Sequence, residues 1–281
     1  MELFQIAGEL TRHLKSLHSS GRSIGFVPTM GALHEGHISL VRTCKLQNDI
    51  TVTSIFVNPN QFNNSKDLER YPRMPERDSE MLAAAGCDIL FMPDVLQVYP
   101  EPDKRVFDFG GLDQTMEGLH RPGHFNGVAQ VVTRLFDMVQ PDRAYFGIKD
   151  FQQLAIIKKV VKDNSYPVQI VSCPIVREPD GLAMSSRNML LGTEQRIQAL
   201  ALFHALKTGR EMIGKFPPEE VKIKVLKLLD QSPGLRTEYF EIIDGDSLLP
   251  VHNWEKGRNT RGCLAAVVGE TRLIDNMDYS L

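Results

Sequence analysis

VPTMGALHEGHISLV, residues 27–41, is the stretch whose reading decides the fold. Just before and into it, SIGFV reads as a short buried strand. After it, His37, Leu40, Val41 and Cys44 recur at helical spacing. Thr29, Met30, Gly31 and Ala32 form the turn that joins the two, and Gly36 lets the backbone come close to a ligand. In an open parallel α/β sheet, ligands bind beyond the carboxyl ends of the strands. A helix starting near Gly36 would bring unpaired N–H groups and its positive dipole end to that place, a geometry that receives phosphate. His34 and His37 lie three apart, so they can share one face of a helical turn and donate imidazole N–H groups to phosphate oxygens. Two histidines alone leave a metal site without a third ligand, and a solvated turn is the plain alternative. Neither GxGxxG nor GK[ST] is present, so the loop is neither a dinucleotide fingerprint nor a Walker loop.

Outward from this stretch the same alternation continues. Leu3, Ile6, Leu10, Leu14 and Leu17 predict an opening helix, stopped by Gly21. ITVTSIFV (residues 50–57) is apolar almost throughout, as a strand covered on both faces should be, and Asn58-Pro59 ends it. A helix is expected over 75–86, then the strand DILFM and a short strand RVFDF. A further helix is expected over 123–139, the strand RAYFG, a helix over 150–161 and the strand VQIVS. Strands alternating with helices at this spacing imply a doubly wound, Rossmann-like parallel sheet over residues 1–176. Beyond Val176 the pattern changes. Thr193 is placed to cap a long helix to Ile213, a second helix covers 217–230, and LRTEYFEII, CLAAVVG and TRLID are strands with no helix separating them. Residues 177–281 therefore read as a smaller α+β domain.

Composition fits a globular chain able to bury a core: 281 residues, 42% hydrophobic and 24% charged. The formal net charge of -3 argues against a nucleic-acid partner or an anionic membrane surface, so a bound anion must be held by local groups. The four cysteines (Cys44, Cys87, Cys173 and Cys263) are scattered singly, which suits small buried hydrophobes rather than a disulfide framework or a zinc site. The N-terminus has no uninterrupted apolar core of the kind found in secretory signals, and no stretch approaches the roughly 20 apolar residues of a membrane span. A cytoplasmic, reducing location is the expectation.

Five segments, in this order, carry a family resemblance. TMGALHEGH is similar to the HxGH signature of the nucleotidylyl-transferase superfamily. With FVNPNQF (Phe56 to Phe62), RPGHFNGV (Arg121 to Val128), FGIKDFQQL (Phe146 to Leu154) and REPDGLAMSSRN (Arg177 to Asn188), the chain resembles the pantothenate synthetase (pantoate–β-alanine ligase) family over about its first 190 residues. The resemblance implies an enzyme that uses ATP to activate pantoate as an acyl-adenylate, releasing pyrophosphate, and then lets β-alanine displace AMP. It departs from the family pattern at Asn126, where a basic residue is usual, and at Ile148, where a polar one is usual.

The residues suit that chemistry. Attack by a carboxylate on the α-phosphorus of ATP joins two anions and loads charge onto the leaving pyrophosphate, so fixed donors and cations matter more than a proton carrier. His34 and His37 would supply donors from one side. Lys149, after the strand RAYFG, is the candidate cation from another. MSSR resembles the flexible lysine/serine loop of the superfamily, which implies Arg187 as a second cation whose fork can hold two oxygens, with Ser185 and Ser186 adding hydroxyls. By resemblance, ATP is bound by Met30, Gly31, Ala32, Leu33, His34, Glu35, Gly36 and His37, by Gly147, Ile148, Lys149 and Asp150, and by Val176, Met184, Ser185, Ser186 and Arg187. Asp150 can also cap the helix that follows. By resemblance too, Gln61 and Gln153 hold pantoate and Gln61 meets β-alanine; an amide suits a hydroxyl-rich acid because it both donates and accepts. Met30 would be an apolar wall beside the dimethyl carbon of pantoate, with a core methionine as the equal alternative. The superfamily assigns His37 as proton donor, although phosphate binding is the role its chemistry favours. His120 and His124 read as loop and helix-start residues, and Arg121 as a candidate for approach to pyrophosphate.

Magnesium is expected on the phosphates of ATP, with Asp78 as an outer-sphere candidate and the protein ligands unknown. The resemblance implies a homodimer, and the C-terminal domain is expected to close as a lid over a site between the two domains. Two other readings fit the HxGH logic. One is an adenylyltransferase acting on a phosphate-bearing acceptor, against which Gln61 and Gln153 suggest an uncharged, hydroxyl-rich one. The other is a nucleotide sensor without catalysis, against which every basic and hydroxyl candidate is intact.

Overall fold

The computed structural model describes residues 1–63 and 65–281. The chain runs β1 (Glu2–Phe4), α1 (Ala7–Ser19), β2 (Ile24–Thr29), α2 (Glu35–Gln47), β3 (Ile50–Ile55), α3 (Ser65–Arg70), α4 (Pro75–Ala84), β4 (Ile89–Phe91), α5 (Val95–Val98), α6 (Met116–His120), α7 (His124–Val139), β5 (Arg143–Gly147), α8 (Phe151–Asp163) and β6 (Gln169–Cys173). It continues through α9 (Thr193–Gln198), α10 (Leu200–Glu211), α11 (Pro218–Asp230), β7 (Leu235–Asp244), β8 (Thr260–Val268) and β9 (Thr271–Asp278). No helix among the described residues is long and apolar enough to cross a membrane.

The chain forms two compact units. The first holds residues 1–110, 121–148 and 153–174, around a six-stranded parallel sheet of order β1-β4-β3-β2-β5-β6. Period-two alternation sends successive side chains to opposite faces. Phe26, Ile89, Phe91, Ala144 and Phe146 join the core under α1 and α7. Val27, Leu90 and Tyr145 join Ile38, Leu40 and Val41 of α2 and Leu82 of α4 on the other face. Both faces are covered, which is why these strands are apolar throughout. The strand order reverses on either side of β2, so the crevice next to β2 and β5 is the topological switch point of the sheet.

The second unit holds residues 175–281 together with 111–120 and 149–152. Its antiparallel sheet runs β7-β8-β9, and α10 and α11 bury Leu202, Leu206, Val221, Val225 and Leu229 against Phe240, Leu264 and Leu273. Residues 111–120 join it through a buried charge cluster. The Glu117 carboxylate, 7% exposed, accepts from Arg272 Nη1 and Nη2 at 2.7 and 2.6 Å and from the Tyr239 hydroxyl at 2.8 Å.

Several expectations are corrected. RVFDF is not a strand; the sixth strand of the sheet is β1, which pairs with β4. The backbone of 105–107 is engaged by α7 side chains instead: Asn126 Oδ1 accepts from Phe107 N, and Asn126 Nδ2 and Gln130 Nε2 both donate to the Arg105 carbonyl. Val106 is left 87% exposed. Leu3 belongs to β1 and Ile6 precedes α1, so only Leu10, Leu14 and Leu17 of the opening pattern are helical and packed inward. The long helix over 193–213 is two helices: a 3₁₀-type bond from Leu202 N to the Ala199 carbonyl tightens the chain at Ala199, and Gly192 rather than Thr193 occupies the cap. All four cysteines are free and buried, and burial pushes the Cys44 and Cys263 thiols up to about 12.

Candidate active site

The loop after β2 is strained and held from below. Gly31 lies at φ 80 and Ala32 at φ 50, the left-handed region that costs a residue with a Cβ roughly 1 kcal/mol. What holds it there is Asp78 of α4. Its carboxylate, 1% exposed, accepts from Ala32 N and Leu33 N, both at 2.8 Å. Thr29 Oγ1 accepts from Gly31 N at 3.2 Å. Asp78 therefore shapes the loop, each of its oxygens accepting from one backbone N–H.

His34 and His37 meet in a way the spacing did not show. His34 is the N-cap of α2 in extended backbone, φ -142, and so lies outside the helical turn. Its Nδ1 accepts from Gly36 N at 3.1 Å, while His37 Nδ1 faces His34 N at 3.4 Å, forming a reciprocal capping box. The His34 carbonyl accepts from His37 N and Ile38 N. The N–H groups of Gly36, His37 and Ile38, in the first turn of the helix where unpaired groups are expected, are thus taken by His34 itself. The rings lie 4.1 Å apart, centroid to centroid. An Nδ1 that accepts from backbone is unprotonated, so the proton of each neutral imidazole sits on Nε2. The cap fixes the tautomer and makes each ring a donor through Nε2.

Gln61 sits in a 3₁₀ turn, Pro59–Gln61, after β3. The Asn58 side chain, 1% exposed, donates from Nδ2 to Gln61 Oε1 at 3.1 Å and to the Gly127 carbonyl at 3.1 Å. Asn58 Oδ1 accepts from the Tyr99 hydroxyl at 2.9 Å, and burial holds that hydroxyl protonated by pushing its pKa up. The chain of donors fixes both amides: with Oε1 occupied, Gln61 turns its NH₂ outward, where Nε2 lies 3.0 Å from Met30 Sδ. The turn is held by α7 as well. His124 Nδ1 lies 2.8 Å from the Gln61 carbonyl and must donate, so its Nε2 accepts from Arg121 Nη1 at 3.1 Å. Gly127 is needed where α7 meets the turn, because a Cβ there would lie 2.2 Å from the Asn60 carbonyl oxygen.

In the second unit, Lys149 Nζ pairs with Asp150 Oδ1 at 3.5 Å, its side chain 19% exposed. Its backbone carbonyl accepts from Asn276 Nδ2 of β9 at 2.8 Å. Residues 176–184 fold back on themselves, with Met184 N donating to the Val176 carbonyl and an Arg177–Ala183 bridge. Arg177 anchors this hairpin on Asp275 of β9, Nη1 to Oδ2 at 2.7 Å and Nη2 to Oδ1 at 3.0 Å. Ser185 caps the 3₁₀ turn Ser186–Leu190 by accepting from Arg187 N. Ser186 is buried; Ser185 and Arg187 are half-buried.

Within the first unit the structure brings together Met30, Gly31, Ala32, Leu33, His34, His37 and Gln61, with Gly147 and Ile148 at the end of the neighbouring strand β5. Glu35 is exposed and pairs with Arg42 at 2.9 Å. Gln153 is half-buried on α8. Within the second unit it groups Lys149 and Asp150 with Asn276, and Val176 with Met184 through Arg187. Sequence reasoning missed Asn58, Tyr99, Arg177, Asp275 and Asn276 as supports. Asn58 stands inside the quoted FVNPNQF segment, where its pairing with proline reads only as a strand stop. Asp275 and Asn276 lie where the sequence carries no motif.

The chain matches the family model described as Pantoate-beta-alanine ligase over residues 2–278. It is 52% identical to a pantothenate synthetase of Porphyromonas gingivalis over 279 residues, 99% of each chain, and 48% identical to that of Bacteroides thetaiotaomicron over the same span. The crystal structure of pantothenate synthetase from Thermus thermophilus superposes with a TM-score of 0.94 at 44% identity and covers 100% of both chains. That of pantoate-beta-alanine ligase from Francisella tularensis, complexed with beta-gamma ATP and beta-alanine, gives a TM-score of 0.81 at 34% identity, covering 99% of this chain and 98% of that one. With its donor loop on a Rossmann-like sheet and a match along nearly its whole length, this chain belongs to the pantoate–β-alanine ligase family, whose members are enzymes that form an amide bond.

Proposed function

We propose that the protein condenses (R)-pantoate with β-alanine in two steps, through a pantoyl-adenylate. In the first, a pantoate carboxylate oxygen attacks the α-phosphorus of ATP, and the bond from that phosphorus to the bridging oxygen of pyrophosphate breaks. In the second, the neutral amine of β-alanine attacks the acyl carbon. The carbon–oxygen bond to AMP breaks, AMP leaves as an anion, and the amine nitrogen loses a proton to solvent.

The observation that carries the reading is the capping box of His34 and His37, which sets two imidazole Nε2–H donors beside the loop at the carboxyl end of β2. Donors held before the substrate arrives stabilise charge developing on phosphate without reorganisation, and losing one costs on the order of 3 kcal/mol in the transition state. His37 in this tautomer is a hydrogen-bond donor to phosphate first and a proton source second. Lys149 and Arg187 act on the leaving pyrophosphate, Ser185 and Ser186 on phosphate oxygens, and Asp150 near the ribose or adenine. Gln61 presents its NH₂ to the oxygens of pantoate, and Gln153 completes the hydroxyl recognition. β-Alanine enters beside Gln61. Magnesium arrives with ATP as part of the substrate, bridging its phosphate oxygens and keeping several waters. Closure of the C-terminal domain over the nucleotide and assembly as a homodimer belong to the same proposal.

The test uses pantoate labelled with ¹⁸O in its carboxylate. An adenylate route transfers one label to the phosphate of AMP, and pyrophosphate exchanges into ATP only when pantoate is present and without need for β-alanine. Label in inorganic phosphate with ADP as co-product, or exchange independent of pantoate, overturns the reading.

A further inference from the structure

Strand β9 lies in the part of the chain with no sequence motif, yet one of its side chains is fixed on a residue of the reaction. Asn276 is 1% exposed. Its Oδ1 accepts from Arg261 Nη1 at 3.0 Å, and the guanidinium lies over the Phe151 ring at 4.9 Å. A guanidinium can only donate, so the Asn276 amide has one allowed orientation, and Nδ2 points the other way, to the Lys149 carbonyl at 2.8 Å. The Asn276 backbone is fixed too: its N–H donates to Asp275 Oδ1 at 2.7 Å and its carbonyl accepts from Arg177 Nη2 at 3.1 Å. Lys149 itself sits on no regular element, one residue after Ile148 and two before α8 begins. The hydrogen bond that fixes its backbone carbonyl comes from the Asn276 amide.

We infer that Asn276 is a positioning residue for Lys149, holding the backbone from which the ammonium reaches the leaving pyrophosphate. The inference rests on the role given to Lys149 above. Arg177, which bonds both Asp275 and the Asn276 carbonyl, brings the 176–184 hairpin to the same two residues of β9. One dipeptide, Asp275-Asn276, thereby sets the stem of the serine–arginine turn and the carbonyl of Lys149 in a common frame.

Asn276→Asp is the direct test. The carboxylate keeps the size and the bond from Arg261, but it sets an oxygen against the Lys149 carbonyl. Asn276→Ala is the second variant, removing both bonds without adding charge. In the full-length enzyme, pantoate-dependent exchange of pyrophosphate into ATP should fall roughly tenfold or more in each, the factor that misplacing one charged donor carries. Transfer of the pantoyl group from preformed pantoyl-adenylate to β-alanine should stay within roughly twofold. Affinity for a non-hydrolysable ATP analogue, read by calorimetry, should fall in the single variants but not further when either is combined with Lys149→Ala. Wild-type exchange in a folded Asn276 variant, equal loss in both half-reactions, or additive loss with Lys149→Ala overturns the inference. If Lys149→Ala itself leaves exchange at the wild-type rate, it is the role given to Lys149 that fails, and the two failures are distinct.

Discussion

Replacing Asp78 by asparagine should disable the loop after β2 by releasing its backbone at Ala32 and Leu33. The carboxylate, 1% exposed, receives two N–H groups at 2.8 Å, from Ala32 and Leu33. An asparagine in the same place keeps one acceptor oxygen and turns its NH₂ toward the other N–H. The loss is one hydrogen bond to a charged group, about 2 kcal/mol, plus a buried donor left unpaired, about 1–2 kcal/mol. The sum is on the order of 3–4 kcal/mol, set against a loop that already carries about 1 kcal/mol of left-handed strain at Ala32. That suffices to release the loop and to raise the KM for ATP by up to several hundredfold, on the order of 10²–10³. The assay is pantoate-dependent pyrophosphate exchange at varied ATP, beside a urea unfolding curve. A second substitution identifies the cause: Ala32→Gly, which adopts φ 50 without strain, should restore about fivefold in the Asp78→Asn background. An Asp78→Asn variant with an unchanged unfolding midpoint and exchange within twofold of wild type refutes the reasoning.

Other expectations concern separate parts of the molecule. Gly127→Ala places a methyl 2.2 Å from the Asn60 carbonyl oxygen, so α7 and the Gln61 turn must separate; the KM for pantoate should rise at least roughly tenfold, with a smaller effect on that for ATP, read from steady-state kinetics. Tyr99→Phe removes the donor that orients Asn58 and should raise the KM for pantoate about fivefold with kcat little changed. The Asp103 carboxyl, its side chain 1% exposed, is held well below the usual carboxylate range by hydrogen bonds from Arg105 and Arg134. Its folded pKa lies below its unfolded one, so its stabilisation is complete above about pH 4 and drains as pH falls further. Acid unfolding should therefore steepen below that pH in the wild type and be shallower in Asp103→Asn, which should lose about 2 kcal/mol at neutral pH. Small-angle scattering should show compaction when ATP and pantoate are added together; an unchanged radius of gyration removes the proposed lid.

Much of the architecture was legible because it rests on local periodicity. Apolar strands covered on both faces, separated by helices, leave few arrangements other than a doubly wound sheet, and the change of pattern after Val176 marks the α+β part. RVFDF shows the limit. It has strand composition, but Asn126 and Gln130 of α7 take its backbone groups, while the three-residue β1, whose sequence reads as the start of a helix, fills the edge beside β4. Pairing partners are decided across long sequence separations, where composition says nothing.

For the candidate site the sequence by itself determined which chemical groups are present and in which loops: two imidazoles ahead of a helix, a glutamine after one strand, a lysine after another, a serine–arginine turn. It did so because residue type and chain neighbours fix those. The local cap geometry decided the tautomer of His34 and His37, and only the tertiary structure decided the orientation of the Gln61 amide through Asn58 and Tyr99 and the use of Asp78 as a loop support. Those depend on hydrogen bonds between residues up to 46 positions apart, whose direction is set by which donor meets which acceptor in three dimensions.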